Sequence, residues 1–182
     1  GYIASHLIDR LMENENYIIL GIDKQYSVYP QNASNVSLSQ INTVDIEKVA
    51  DFDTDYIFHL GEYARVEQSF NNFEEVLTDN LAGTAAIINF WKKSNAKLIY
   101  AGSSTKFSDN GLGYTSSPYA LTKAHNTELI SNAAKWYELK YAITYFYNVY
   151  GGREQSYGDK ATLIGIFRRQ MYEKQPLSVR LP

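Results

Sequence analysis

Ser116-Ser117-Pro118-Tyr119-Ala120-Leu121-Thr122-Lys123 reads as the mouth of a helix. Ser117 suits the N-cap, and Pro118 suits the first helical position, where its missing N–H costs nothing. No Gly or Pro interrupts the run from Tyr119 to Glu138, so one long helix is expected there. Tyr119 and Lys123 stand one turn apart on one face of that helix. The spacing has a chemical use. A phenol titrates near pH ~10, too high for a base at neutral pH. An ammonium held close by favours the phenolate. A tyrosine so tuned can take a proton from a sugar or alcohol hydroxyl while hydride leaves the same carbon. A bare Tyr-x-x-x-Lys is common in ordinary helices, so its surroundings decide what it means.

Upstream, Lys97-Leu98-Ile99-Tyr100-Ala101 is an apolar run ending in Gly102-Ser103-Ser104-Thr105. It reads as a buried strand whose C-terminal end delivers hydroxyls to a crevice, where open α/β sheets bind ligands. Working outward, helical and strand-like runs alternate. Helices are expected at 2–14, 66–77, 79–94, 118–138 and 161–174. Strands are expected at 17–23, 41–46, 55–60, 97–102 and 141–147, and Leu177-Ser178-Val179 could open another. Residues 24–40 carry Pro30 and four serines and read as a loop. The alternation implies right-handed crossovers and a parallel sheet covered on both faces.

The 182 residues suffice for one sizeable core. A formal net charge of −3 argues against a nucleic-acid binder, which normally presents a basic face. The chain has no cysteine, which excludes disulfide and thiolate chemistry. No apolar run approaches membrane-spanning length, no signal-peptide pattern is present, and no metal-ligand spacing surrounds His59.

Strand, Ser103, then a Ser-Pro-Tyr-x-x-x-Lys helix resembles the extended short-chain dehydrogenase/reductase family, and within it the NAD-dependent sugar-nucleotide epimerases and dehydratases of the UDP-glucose 4-epimerase type. The resemblance implies a doubly wound, Rossmann-like parallel sheet that lacks its first strand and most of its substrate-binding part. Residues 1–160 would be an incomplete NAD-binding domain and 161–182 the start of the sugar-nucleotide region. A sheet without that strand would expose two interior edges, so either the full polypeptide is longer or this piece is not an active enzyme as given.

The site residues follow from the same resemblance. Gly1-Tyr2-Ile3-Ala4 is similar to the tail of the family's glycine-rich fingerprint, where a helix N-terminus holds a pyrophosphate. Asp23 ends a strand about 20 residues further on, where an acid can bind the adenosine ribose and favours NAD over NADP; Lys24 could soften that preference. Asp45-Ile46 matches the pair that contacts adenine. Leu60 and Gly61, in His59-Leu60-Gly61-Glu62-Tyr63-Ala64, would pass close to the cofactor, although Glu62 and Tyr63 are bulkier than usual there. Asn80, in Asn80-Leu81-Ala82-Gly83-Thr84, would lie near the cofactor and stabilise the central strands. Ser103, Tyr119 and Lys123 form the expected catalytic set, with Tyr119 and Lys123 also touching the nicotinamide ribose. Ser69, Ser104, Asn148, Thr162 and Leu163 are the expected substrate contacts.

Relatives that dehydrate a 4-keto sugar carry Asp-Glu directly after the catalytic hydroxyl. Here those positions are Ser104 and Thr105, which cannot act as carboxylate acids or bases. The expected activity is therefore sugar-nucleotide epimerisation. The alternatives are a dehydratase, decarboxylase or reductase of the same family, or a non-catalytic nucleotide-binding domain. A cytoplasmic homodimer is expected, joined by a four-helix bundle built from the helices at 79–94 and 118–138.

Overall fold

The computed structural model describes residues 1–25, 34–158 and 161–178. Helix α4 spans Pro118–Tyr137, close to its expected limits. Ser117 Oγ accepts from the Ala120 N–H at 3.1 Å, so the N-cap forms as the sequence implies. At the other end Glu138 turns left-handed, with φ 55°, and the chain leaves for the next strand. Ser117→Ala is expected to cost about 1 kcal/mol, read from urea unfolding, because it orphans one first-turn donor.

Helix α1 (Tyr2–Met12) is followed by strands β1 (Ile19–Asp23) and β2 (Val36–Gln40), which pair in parallel from Ile19↔Val36 to Asp23↔Gln40. The polar segment expected to be loop through residue 40 thus ends in a strand, and no strand occupies 41–46. Val36 and Leu38 alternate with Ser37 and Ser39 in the period-two pattern of a strand, which the serine content had masked. Residues 43–48 instead form a 3₁₀ turn, capped by Asn42 Oδ1 accepting from the Val44 N–H at 3.2 Å.

β3 (Tyr56–His59), β4 (Lys97–Ser103) and β5 (Tyr141–Phe146) form a second parallel sheet in the order β3-β4-β5. Two parallel sheets of two and three strands are what a doubly wound order leaves when the strand between β1 and β3 is not among the described residues.

The helix expected at 66–77 is broken. A 3₁₀ turn at Glu67–Ser69 is followed by the short α2 (Phe73–Val76). A π-turn at Leu77–Ala82 then runs straight into α3 (Gly83–Ser94). The wider turn re-aims its side chains, and both Asp79 and Asn80 on it are buried. The last helix, α5, is Leu163–Tyr172, shorter than the expected 161–174 because Thr162 caps it. Leu177 and Ser178 are not in a strand, and Val179 lies outside the described residues.

The core gathers Ile87, Phe90 and Trp91 of α3, Leu98 and Tyr100 of β4, Ile57 of β3, and Ile130 and Ala133 of α4. Phe52 stacks on Phe90 with ring centroids 5.2 Å apart. The chain divides into two compact units: Gly1 with Ile3–Phe146, and Tyr2 with Tyr147–Pro182. The first ends at Phe146, the last residue of β5.

Candidate active site

β4 carries Ser103 to its C-terminal end, where the side chain is buried. The Ser103 hydroxyl accepts from the Thr105 hydroxyl at 2.9 Å and from the Thr105 N–H at 3.3 Å. These bonds start the 3₁₀ turn Ser104–Phe107, on which Ser104 is half-buried. Helix α4 packs against β4 and this turn. Lys123 is 5% exposed, and its Nζ donates to the carbonyl of Ala101, two residues before Ser103. Tyr119, one turn earlier, is half-buried, and it lies near enough to Tyr100 to add to the cost of ionising that phenol.

Lys123 also donates to the carboxylate of Glu62, and this contact organises the region. The Glu62 side chain is 3% exposed. Burying a carboxylate is costly unless partners surround it, and here they do. Oε1 accepts from Thr84 Oγ1 at 2.7 Å and from Asn126 Nδ2 at 2.7 Å. The Tyr100 hydroxyl reaches Oε2 at 2.9 Å. His59 Nε2 lies 2.9 Å from Thr84 Oγ1. An ionised carboxylate can only accept, so the Thr84 proton points at Glu62 and His59 Nε2 is the donor to Thr84 Oγ1. Burial opposes ionisation of Glu62, but Lys123 and His59 outweigh it and hold the carboxyl well below the usual carboxylate range. Burial and the facing Glu62 carboxylate push Tyr100 far above an ordinary phenol, which leaves it a neutral donor.

A depressed folded-state pKa gives a signed prediction. The Glu62 contribution to stability is complete above the unfolded value of about 4.3 and is lost as pH falls through the much lower folded value. Thermal unfolding of Glu62→Gln is therefore expected to decline less steeply than that of the parent below pH about 4.

Asn80 is fully buried and spans the site. Its Oδ1 accepts from the Tyr63 N–H at 2.8 Å and its Nδ2 donates to Thr122 Oγ1 at 2.8 Å. It thus ties the loop after β3 to α4. Leu60 is half-buried and Gly61 exposed on that loop. A Cβ on Gly61 would sit 3.6 Å from Thr43 Oγ1, so the protein itself does not demand glycine there. Ser69 is fully buried, and its hydroxyl donates to the Val66 carbonyl within its own turn at 2.5 Å.

At the α1 end, the Gly1 nitrogen lies 3.3 Å from Asp23 Oδ2. No side chain caps α1, and a Cβ on Gly1 would meet nothing within 4 Å. A helix N-terminus with an acid beside it suits a dinucleotide's phosphates and ribose. Tyr2 and Ile3 form the first helical positions. Lys24, which could have softened a preference for NAD, is committed to Glu75 at 2.7 Å and to Asp79. Ile46 is 6% exposed and belongs to the core, while Asp45 is half-buried and pairs with Lys48 at 2.7 Å.

In the second unit Asn148 is exposed. Thr162 caps α5 by accepting from the Gly165 N–H at 3.0 Å, and Leu163 is 61% exposed. Among the described residues no helix is long and apolar enough to cross a membrane.

Sequence reasoning marked Glu62 only for its bulk and did not single out Thr84 or Asn126. Their shared partner is remote along the chain, 61 residues separating Glu62 from Lys123, and local pattern carries no trace of such a contact.

The sequence pattern of the NAD dependent epimerase/dehydratase family matches residues 1–181. The chain is 28% identical to the "Putative UDP-glucose 4-epimerase" of Methanocaldococcus jannaschii, covering 96% of this chain and 61% of that protein. Its backbone is similar to UDP-glucose 4-epimerase of Thermotoga maritima with UDP-glucose, at TM-score 0.82 and 25% identity, over 96% of this chain and 61% of that one. It is likewise similar to UDP-glucuronic acid 4-epimerase of Bacillus cereus in complex with UDP-glucuronic acid and NAD, at TM-score 0.82 and 24% identity, over 98% of this chain and 62% of that one. The chain thus spans about three-fifths of the length of these relatives. With a match along almost its whole length and a backbone that follows solved epimerases, this chain belongs to the NAD dependent epimerase/dehydratase family.

Proposed function

We propose that this chain carries the cofactor half and the catalytic groups of an NAD-dependent sugar-nucleotide epimerase. The observation that supports it best is the tether of Lys123 to the Ala101 carbonyl, which brings the Tyr119/Lys123 helix to the end of β4 that bears Ser103. Bound NAD would supply a reversible hydride acceptor for the sugar carbon. Gly1, Tyr2, Ile3 and Asp23 hold its phosphates and adenosine ribose, Asp45 and Ile46 its adenine end, and Leu60, Gly61 and Asn80 the wall beside it. Tyr119 takes the proton of the sugar hydroxyl and later gives it back. Lys123 holds the nicotinamide ribose and favours the phenolate. Ser103 hydrogen-bonds the reacting oxygen, and Ser69, Ser104, Asn148, Thr162 and Leu163 contact the sugar nucleotide.

Ser104 and Thr105 favour epimerisation over dehydration, since neither supplies a carboxylate. The test uses the intact polypeptide with NAD and UDP-sugars deuterated at C4, read by NMR. An epimer that keeps its deuterium is expected. Loss of water or of carbon dioxide would instead make it a dehydratase or a decarboxylase. Pairing of two copies through α3 and α4 belongs to the same proposal. Leu121, Trp136 and Tyr137 on α4 are all at least 46% exposed and offer an apolar surface for it. Light scattering is expected to give a dimer, and a monomer would remove this part of the proposal.

A further inference from the structure

Glu62 is a buried carboxylate that the catalytic scheme above does not use. Among the described residues, titratable groups from three elements face it. His59 comes from the end of β3, Tyr100 from β4 and Lys123 from α4, with Tyr119 beside Tyr100. Lys123 is the cation that makes the direct contact with the carboxylate, His59 Nε2 faces Thr84, and Tyr100 stays a neutral donor. At its centre one carboxylate faces one ammonium directly. Asn126 and Thr84 hold the carboxylate in place, with Asn126 Nδ2 also donating to the Asn80 carbonyl at 2.8 Å.

We propose that Glu62 is the counter-ion of Lys123: it fixes the ammonium at the C-terminal end of β4 and sets how much positive charge reaches Tyr119 and the nicotinamide ring. The second half of this statement rests on the catalytic reading given above; the first half does not. Glu62 is a positioning residue, acting through Lys123.

Two consequences follow from charge alone. Removing the carboxylate leaves a buried ammonium without its partner, whereas removing both charges leaves none. The oxidised nicotinamide ring carries a positive charge that the reduced ring lacks, so one extra positive charge nearby disfavours NAD⁺ relative to NADH.

The experiment compares Glu62→Gln, Lys123→Met and the double variant in the intact polypeptide. Thermal unfolding is read first. Each single variant is expected to melt below the parent, and the double variant above the sum of the two losses. Additive losses would overturn the counter-ion assignment, and this comparison stands even if Glu62→Gln alone folds too poorly for binding work. Calorimetric titration then gives the ratio of NAD⁺ to NADH dissociation constants. Glu62→Gln is expected to raise it about tenfold. A lower stability with an unchanged ratio would make Glu62 structural only and overturn the tuning role. Tyr119→Phe runs alongside. If the parent binds neither nucleotide, or Tyr119→Phe turns over normally, the catalytic reading fails, and the stability comparison still decides whether Glu62 neutralises Lys123.

Discussion

If the proposed epimerisation is right, Tyr119→Phe is expected to lower turnover by roughly 10²–10⁴-fold, the range for loss of a positioned acid–base group. The ring remains, so packing around the half-buried side chain is kept. Only the oxygen proposed to exchange the proton goes. NAD affinity and thermal stability should therefore stay near those of the parent. Steady-state kinetics with a UDP-sugar and calorimetric titration of NAD separate the two readouts. Turnover within a factor of a few of the parent would remove Tyr119 from the chemistry. A large fall in NAD affinity would instead mean that the hydroxyl serves binding more than proton transfer.

Trp91→Ala has the largest expected effect on stability. Trp91 is fully buried in the core, and its indole N–H donates to the Ala96 carbonyl at 2.8 Å. Tyr141 of β5 meets it edge-on, with ring centroids 6.5 Å apart. Truncation removes this packing, opens a cavity and leaves a carbonyl unpaired, at a cost of about 3–5 kcal/mol. Domains of this kind are stable by only about 5–15 kcal/mol, so the variant should sit near its unfolding threshold. Urea denaturation measures the change. A loss under about 1 kcal/mol would show that the site collapses freely and that α3 is not a main support of the sheet.

The helix bearing Tyr119 and Lys123 was legible because its signals are local. Ser117, Pro118 and an unbroken run to Glu138 specify a start and a length without help from elsewhere. The strand ending at Ser103 was legible for the same reason, being a short apolar run bounded by glycine and hydroxyl residues. β2 was missed because its polar residues are serines at alternate positions. Pairing with β1 stabilises them as a strand, and pairing is not a local property. The break near Asn72 and the π-turn after it were missed too. The apolar pattern continues through both, while the burial of Asp79 and Asn80 that accompanies the wider turn arises only in the folded chain.

What the sequence determined alone is the alternation of strands and helices, the family, and the presence of a phenol and an ammonium one turn apart. These depend on residue type and short spacing, which a linear chain displays directly. What only the tertiary structure decided is which groups that ammonium faces. A carboxylate, two hydroxyl groups, an imidazole and an amide converge on one buried point from β3, the loop after it, α3, β4 and α4. In a low-dielectric interior such convergence holds the Glu62 carboxyl ionised and the Tyr100 phenol neutral, and no spacing along the polymer encodes it.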